Sequence, residues 1–322
     1  MRTRILHACL LFITASLFAG TGFGILRSWH RLSEQPIISP QEDGWESAGT
    51  FNPSVVMYAG KFVMLYRAQD LNGTSRLGYA ESADGIHFHR RPDPVFSPEA
   101  EYEKNGGVED PRLVKFGETY YLTYTGYNKK DAQLCLATST DLIHWQRKGI
   151  LLPAYKGNWN VRWTKSGAIV PQKIGGKYWM YFLGTSRDKR DQTGLAHSAD
   201  LVHWTEATAA PVLPARAGKF DSRVVEPGPA PIITSDGILL VYNGADDKLV
   251  YRTGMAVFSI RDPRKLLWRT GKAVFSPKLD WEKNGQVPNV VFVEGMVKKG
   301  NDYLLYYGGA DKYVGVAEAE LR

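Results

Sequence analysis

A seven-residue phrase occurs three times in this chain and constrains its fold more than any other feature. The copies are residues 82–88 (SADGIHF), 139–145 (STDLIHW) and 198–204 (SADLVHW). They lie about 60 residues apart, with strand-like segments between them. A period of this length is typical of a β-propeller with one blade per repeat. Residues at equivalent positions of the blades would then meet at a common central axis.

Each repeat also contains a glycine turn followed by an alternating run of apolar and aromatic residues. β-Branched and aromatic residues bounded by Gly and Asp predict strands that are joined by tight turns. The turn glycines are Gly60, Gly117, Gly176, Gly237 and Gly300. These five runs predict an all-β, five-bladed propeller whose closing blade borrows the N-terminal segment. The predicted blades are residues 45–100, 101–160, 161–215, 216–275 and 276–322.

Alignment of the repeats without gaps indicates which residues face the axis. The sequences VFSP and EKNG each occur twice, and aligning their copies places Asn289 where Asp110 stands. The sequence LPA also occurs twice, and its alignment pairs Lys165 with Glu226. Asn52 occupies the corresponding place in the first blade. These five positions are therefore predicted to surround one axial pocket.

Two of the axial residues are carboxylates. Asp110 and Arg112 are two residues apart in VEDPR, so both project from the same face of an extended segment. We expect a pKa raised enough for Asp110 to act as an acid, or else an Asp–Arg pair that closes a blade corner. Glu226 precedes PGPAP, whose prolines fix its direction; the alternative is an exposed glutamate in a turn. Two carboxylates in one pocket are the minimum for glycoside cleavage.

The N-terminus has the pattern of an export signal. Arg2 and Arg4 precede the largely apolar residues 5–26, as in a positively charged n-region followed by an h-region. We predict that residues 1–30 are a signal peptide or membrane anchor and that residues 31–322 form the propeller. The protein is then exported, periplasmic or extracellular, and membrane-tethered if the segment is not cleaved. The alternative is an apolar helix docked on the propeller.

Composition excludes several classes of partner and cofactor. The net charge of +7 is spread along the 322 residues without a basic block, so we expect no nucleic-acid partner. The histidines show no metal-ligand spacing, and His144 and His203 belong to the repeated phrase. No phosphate loop or dinucleotide motif occurs, so we predict no metal and no cofactor. The sequence carries no signature of an oligomer interface.

Five short motifs at blade spacing resemble those of glycoside hydrolase family 130. The motifs are FNP at 51–53, EDPR at 109–112, WTK at 163–165, PAPI at 229–232 and YYGGAD at 306–311. The resemblance covers about residues 45–322 and implies a five-bladed glycosidase domain whose substrate is a β-mannoside oligosaccharide. The related families 43 and 32 usually carry an aspartate where this chain has Asn52. The motif around Glu226 is nevertheless similar to the acid motif of family 43, a weaker option.

The resemblance also implies roles for individual residues. It assigns Asp110 as the general acid, in some members of the family through a sugar hydroxyl. It assigns Asn52, Arg67, Arg112 and Asp311 to binding of the sugar in the −1 subsite, the subsite of the cleaved mannosyl unit.

The family contains both hydrolases and phosphorylases, and Glu226 bears on which applies. A carboxylate would repel phosphate by roughly 4 kcal/mol at a separation of about 4 Å in an effective dielectric constant of about 20. It would suit a base that activates water, so we predict inverting hydrolysis with Glu226 as base.

Two other functions stay open. The first is a β-mannoside phosphorylase that releases mannose 1-phosphate, with inorganic phosphate as co-substrate held by Arg162, Lys165 and Arg223. Lys165 otherwise binds the substrate or neutralises Glu226. The second is a non-catalytic carbohydrate-binding propeller in which the carboxylates only accept hydrogen bonds from sugar hydroxyls.

Overall fold

The computed structural model describes residues 22–322, and strands make up most of the regular structure. The helical elements of this range are a 3₁₀ turn (Glu101–Glu103) and a short helix, α1 (Asp280–Lys283). The predicted all-β class is confirmed. Residues 1–21, most of the predicted signal or anchor, lie outside the described residues, so that assignment stays a prediction. Within residues 22–322 no helix is both long enough and apolar enough to cross a membrane.

The first two units are antiparallel meanders of four strands. The first contains β2 (Gly49–Tyr58), β3 (Lys61–Gln69), β4 (Ser75–Ser82) and β5 (His89–Arg90). The second contains β6 (Gly107–Phe116), β7 (Thr119–Tyr127), β8 (Ala132–Ser139) and β9 (Gln146–Leu152). A parallel pairing of Ser75 with Gly107 joins the two units into one eight-stranded sheet.

The third and fourth units follow the same plan. The third contains β10 (Thr164–Ile169), β11 (Tyr178–Thr185), β12 (Asp191–Ser198) and β13 (Trp204–Glu206). The fourth contains β14 (Val224–Pro227), β15 (Ile232–Thr234), β16 (Gly237–Ala245), β17 (Tyr251–Phe258) and β18 (Leu266–Arg269). Strands β14 and β15 both pair with β16, so they act as one interrupted strand.

The fifth unit is completed by the N-terminal strand, as expected. It contains β19 (Val291–Lys299), β20 (Asp302–Gly309), β21 (Tyr313–Leu321) and β1 (Leu26–Arg31). The order of strands is β1-β21-β20-β19, with Leu26 opposite Leu321. The sequence-based boundary after residue 30 therefore falls inside a strand, and residues 26–30 belong to the folded domain.

Side-chain hydrogen bonds connect each unit to the next and the fifth unit to the first. In order around the cycle, the pairs are Leu113 N–H to Ser54 Oγ, Thr123 Oγ1 to Gly167 O, Thr193 Oγ1 to Val225 O, Asn243 Nδ2 to Val293 O, and Tyr306 hydroxyl to Gly85 O. Strand β2 also contacts both β6 and β19. The contacts therefore close a cycle in chain order, and this cycle brings the first strands of the units together.

The repeated phrase forms the turn after the third strand in the first three units. In the first copy, Asp84 Oδ1 accepts hydrogen bonds from the backbone N–H groups of Ile86 and His87. Ser82 Oγ accepts one from Gly85 N–H. The other two copies repeat this geometry, and the histidine side chains are more than 80% exposed. The phrase is thus a turn motif fixed by its serine and aspartate side chains.

Four units contain a buried clasp, by which we mean a tyrosine hydroxyl and an arginine that both contact one carboxylate. The clasps are Tyr66–Glu46–Arg90, Tyr124–Glu103–Arg147, Tyr242–Asp221–Arg269 and Tyr307–Glu282–Arg31. All four carboxylates are buried. The third unit has Phe182 at the tyrosine position, packed against Trp159, so the described residues of that unit form no clasp.

Candidate active site

A cavity of about 290 Å³ lies where the first strands of the units meet. Its polar wall consists of six residues that the sequence analysis selected. They are Asn52, Arg67, Asp110, Lys165, Glu226 and Asp311. Its apolar wall consists of Leu249, Tyr251, Val287, Val290 and Phe292. The structure therefore brings together, from all five units, side chains that are as much as 259 residues apart in sequence.

Backbone irregularities direct several of these side chains into the cavity. Asn52, Asp110 and Ser166 have positive φ angles of 46°, 53° and 56°. Each lies where the pairing register of its strand shifts, as in a β-bulge. A bulge redirects a side chain that the regular pleat would send elsewhere, and each such non-glycine residue costs on the order of 1–3 kcal/mol. Of these three residues, Asn52 and Asp110 line the cavity, and Ser166 Oγ donates a hydrogen bond to Glu226.

The fifth unit has its bulge at Glu294, so the alignment that assigned this position to Asn289 was wrong. The register of β19 shifts between Val293 and Gly295. Asn289 instead precedes the strand, where its carbonyl accepts a hydrogen bond from Tyr251 N–H. The segments that lead into the two strands differ in length, which gap-free alignment cannot represent. A lone glutamate inside an apolar strand was the sequence signal that would have identified Glu294.

The third unit required a smaller correction of the same kind. Its register shifts after Lys165, so Ser166 occupies the bulge. Lys165 still reaches the cavity from the neighbouring position, and its ammonium group lies 3.3 Å from Asp110 Oδ2. The ion pair of Lys165 is therefore with Asp110, whereas the sequence analysis considered a pair with Glu226.

Asp110 is a buried carboxylate surrounded by donors. Asn52 Nδ2 donates to Oδ1 at 2.8 Å, and Arg67 Nη1 donates to the same oxygen at 3.0 Å. Burial tends to raise the pKa of Asp110, but Lys165, Arg67 and Arg112 outweigh it and hold this pKa well below its usual value. The expected raised pKa was therefore wrong for this structure, in which Asp110 is ionised at neutral pH.

The pKa of Glu226 is shifted in the opposite direction. Its side chain is buried, and Ser166 Oγ donates a hydrogen bond to Oε1. Burial raises the pKa of Glu226, while Lys165 and Arg112 lower it less than burial raises it. The pKa values of Asp110 and Glu226 are thus moved apart, which is typical of groups with different roles in proton transfer. Glu226 retains a proton more readily than Asp110 does.

Two further carboxylates add to the charge of the site. Burial raises the pKa of Asp311 to about 6, although Arg67 opposes the rise. Glu109 also has a raised pKa through burial, and Arg67 Nη2 donates to its Oε1 at 2.6 Å. The guanidinium of Arg67 therefore bridges Glu109 and Asp110. The sequence analysis missed Glu109, although it is part of the EDPR motif.

Arg112 is not one of the residues that line the cavity. This position does not fit the sugar-binding role that the resemblance implies. Arg112 is 2% exposed. Its guanidinium donates hydrogen bonds to the carbonyl oxygens of Asp110, Pro227 and Gly228. The side chain of Arg112 therefore bonds to backbone carbonyl groups of the protein, and these bonds join the second unit to the fourth.

The alternative phosphate clamp is brought together only in part. Lys165 lines the cavity, but Arg162 and Arg223 do not. Arg162 is exposed and its guanidinium lies 4.1 Å from the ring centre of Trp163. Arg67 lines the cavity beside Lys165, so these two residues are the cations placed to contact an anion there.

The apolar wall was not identified from the sequence. Tyr251 begins β17, and Val290 and Phe292 lie in or beside β19, where alternating apolar residues predict ordinary core. No pattern in the sequence separates a core aromatic from one that lines a cavity. Among residues 22–322 no group of three or more His, Cys, Asp or Glu side chains is placed to hold a metal ion.

Comparison with known proteins identifies the family. A family model described as β-1,4-mannooligosaccharide phosphorylase, that of glycoside hydrolase family 130, matches residues 32–322. The chain therefore belongs to glycoside hydrolase family 130, as the motifs indicated.

Individual relatives differ in the activity for which they are described. A 1,2-β-oligomannan phosphorylase from Thermoanaerobacter sp. (strain X514) is 39% identical over 91% of this chain and 97% of its own length. A structure from work on family members that hydrolyse β-1,2-mannosidic linkages in Candida mannan is 38% identical, with a TM-score of 0.84 over 91% of this chain and 94% of its own. The structure of β-1,2-mannobiose phosphorylase from Listeria innocua in complex with β-1,2-mannobiose is 25% identical. Its TM-score is 0.82 over 91% of this chain and 97% of its own.

Proposed function

We propose that this protein cleaves β-mannosidic bonds in oligosaccharides by phosphorolysis. The observation that carries the proposal is the pair of cations, Arg67 and Lys165, beside Asp110 in the cavity. The curated relatives support it, because they are described as phosphorylases of β-mannosides. Two of them come from Thermoanaerobacter and three from other bacteria. This proposal reverses the preference of the sequence analysis, which ranked hydrolysis first.

The reaction follows from the placement of these groups. A phosphate oxygen attacks C1 of the mannosyl residue, and the bond from C1 to the glycosidic oxygen breaks. A proton moves from Asp110 to that oxygen, and mannose 1-phosphate and a shortened oligosaccharide leave. The chemistry needs inorganic phosphate as co-substrate and no cofactor.

Phosphate binding also accounts for how Asp110 obtains its proton. Lys165 and Arg67 hold the pKa of Asp110 low in this structure. A phosphate held by these two cations adds negative charge beside Asp110 and shares its ion-pair partners. Both effects raise the pKa of Asp110. The raised pKa of Glu226 fits the same scheme, because it reduces the negative charge that opposes phosphate binding.

Hydrolysis is the second candidate, and one observation favours it. Glu226 lines the same cavity as Asp110, so a pair of carboxylates is available to one substrate. An inverting hydrolase needs its two carboxyl groups about 6.5–9.5 Å apart, with a water molecule between the base and the sugar. The structurally similar hydrolases that act on β-1,2-mannosidic linkages support this candidate.

Product analysis distinguishes the candidates. The full chain is incubated with β-1,2- and β-1,4-mannooligosaccharides and with mannosylglucose, with and without inorganic phosphate. We expect mannose 1-phosphate when phosphate is present and no cleavage when it is omitted. Free mannose without phosphate would establish hydrolysis instead. Binding of these sugars without either product would indicate the carbohydrate-binding alternative.

A matched pair of lysine variants tests the phosphate site directly. Lys165→Met should raise the KM for phosphate about 10–100-fold, because one of the two cavity cations is lost. Lys219→Met removes an exposed lysine outside the cavity and should leave the KM unchanged. An equal KM for phosphate in both variants would remove Lys165 from the phosphate site.

We also infer that the five units are the blades of a five-bladed propeller. The closed cycle of contacts between units supports this arrangement, as does the similarity to structures of the family. Export of the protein remains a proposal supported by Arg2, Arg4 and the apolar residues that follow them. Detection of the protein in the cytoplasmic fraction with residues 1–30 intact would contradict it.

A further inference from the structure

Glu294 is a buried carboxylate that the proposed reaction does not use. Its side chain is 0% exposed, and neither carboxylate oxygen has a hydrogen-bond partner among the described residues. A buried polar group without hydrogen bonds lowers the stability of the folded state. An isolated glutamate in the middle of an apolar strand therefore requires an explanation beyond packing.

The backbone on both sides of Glu294 is held in place. The side-chain amide of Asn243 binds both the N–H and the carbonyl of Val293, each at 2.9 Å. Gly295 is so close to the first unit that a Cβ atom would lie 2.8 Å from the carbonyl oxygen of Pro53. The fourth and first units thus fix the position from which the Glu294 side chain projects.

From this position Glu294 faces Arg112. The distance from Arg112 Nη2 to Glu294 Oε2 is 3.5 Å, and within residues 22–322 no other carboxylate lies within 4 Å of this guanidinium. Burial raises the pKa of Glu294 well above its usual range, and Asp110 and Glu226 add to the rise against Arg112 and Arg67. In either protonation state the carboxyl group presents an oxygen to the guanidinium.

Arg112 in turn holds the backbone beside both cavity carboxylates. It donates to the carbonyl of Asp110 at 3.1 Å and to the carbonyl of Pro227, which follows Glu226, at 2.8 Å. A third bond reaches the carbonyl of Gly228 at 2.9 Å. A rotation of the guanidinium would therefore release the two backbone segments that set where Asp110 and Glu226 point.

We propose that Glu294 is a positioning residue for the reaction, acting through Arg112 to fix the relative placement of Asp110 and Glu226. The inference rests on the proposed function, because it gives Glu294 a part in the same cleavage. It assigns Glu294 no contact with substrate. Its effect is therefore expected on turnover and not on sugar binding.

The test compares Glu294→Gln with Glu294→Leu in the full chain. Gln keeps an oxygen that can face Arg112, whereas Leu fills a similar volume without a polar atom. We expect Glu294→Gln to keep kcat within about threefold of wild type and Glu294→Leu to lower it by 30-fold or more. The KM for the oligosaccharide should change less than threefold in both, because Asn52, Arg67 and Asp311, to which the resemblance assigns sugar binding, are unchanged.

A role in stability alone would give a different result. It would lower the melting temperature of Glu294→Leu but leave its kcat, per folded enzyme, equal to that of Glu294→Gln, and this outcome would overturn the inference. A crystal structure of Glu294→Leu in which Arg112 keeps all three carbonyl contacts would also overturn it, whatever the activity. Wild-type protein without cleavage of any β-mannoside would instead refute the proposed function.

Discussion

Buried carboxylates occur in two regions of this molecule, and their surroundings differ. In the clasp of the second unit, Glu103 accepts hydrogen bonds from Tyr124, from Arg147 and from the backbone N–H groups of Glu99 and Ala100. Although burial opposes it, these donors lower the pKa of Glu103. In the cavity, burial outweighs the partners of Glu226 and raises its pKa. The same residue type is thus saturated with donors in one region and undersupplied in the other.

The comparison separates carboxylates that stabilise the fold from those available for chemistry. Glu103 lies outside the cavity and all its donors belong to the protein, so it is not placed to contact a substrate. Glu226 lines the cavity and is short of donors, so with its perturbed pKa it can exchange a proton or bind a hydroxyl group. The third unit is informative here, because its described residues form no clasp and yet it supplies Lys165 to the cavity and Ser166 as a donor to Glu226. Clasps are therefore not needed for placement of the site.

The largest effect is expected for Asp110→Asn. An amide cannot donate the proton that the leaving oxygen needs, so kcat should fall by about 10³-fold, while oligosaccharide binding weakens only modestly. Rates are measured with phosphate present, and binding by calorimetry. Asp43→Asn, at an exposed site outside the cavity, is the matched control and should retain full activity. Turnover by Asp110→Asn close to that of wild type would remove Asp110 from the proton transfer.

Glu226→Gln is expected to separate the two candidate reactions. Under phosphorolysis the variant should keep kcat within about tenfold and show a lower KM for phosphate, because a negative charge near the anion is removed. Both constants are measured over a range of phosphate concentrations. Under hydrolysis the same change removes the base, so all cleavage should cease while sugar binding persists. The second result would return Glu226 to the role that the sequence analysis gave it.

Glu103→Gln should affect stability and leave chemistry unchanged. Loss of the charge that pairs with Arg147 is expected to lower the free energy of unfolding by about 3 kcal/mol. Denaturant unfolding measures this change, and kcat should stay within twofold of wild type. Glu101→Gln alters an exposed glutamate two residues away and should cost less than about 1 kcal/mol. A large loss of kcat in folded Glu103→Gln would break the distinction between clasp and cavity.

The smallest effect is a pH dependence that arises from Asp311. Its pKa is raised from 3.8 to about 6, so the folded state binds this proton more tightly than the unfolded state. The resulting stabilisation is complete below the unfolded-state pKa and is lost as the pH rises through about 6. The melting temperature of wild type should therefore fall relative to that of Asp311→Asn between pH 4 and pH 7. Parallel curves for the two proteins would show that this carboxyl group is not perturbed.

Much of the fold and of the candidate site could be predicted because each rests on local or repeated sequence. The turn motif at residues 82–88 and its two copies fold through hydrogen bonds within a few residues, so the period is visible in the chain. The strands follow from alternating apolar residues bounded by glycine turns. All six polar residues of the cavity wall were selected in this way or through the family resemblance.

The failures have different causes. The alignment missed Glu294 because the segment that leads into β19 is longer than the one that leads into β6, which a gap-free alignment cannot represent. Arg112 was expected in the cavity because it is two residues from Asp110, but the bulge between them removes the simple alternation of faces. The strand β1 was assigned to the N-terminal segment because its partner, β21, lies at the other end of the chain.

By itself the sequence determined the all-β class, the five repeated units and the set of polar residues that the units carry, because these depend on spacing along the chain. Tertiary structure alone decided which carboxylates pair with which cations. Lys165 lies beside Asp110, and Arg112 lies between Glu294 and the backbone next to Glu226. The pKa of a buried group depends on burial and on the distances to its neighbours. Those distances are set when strands far apart in sequence meet.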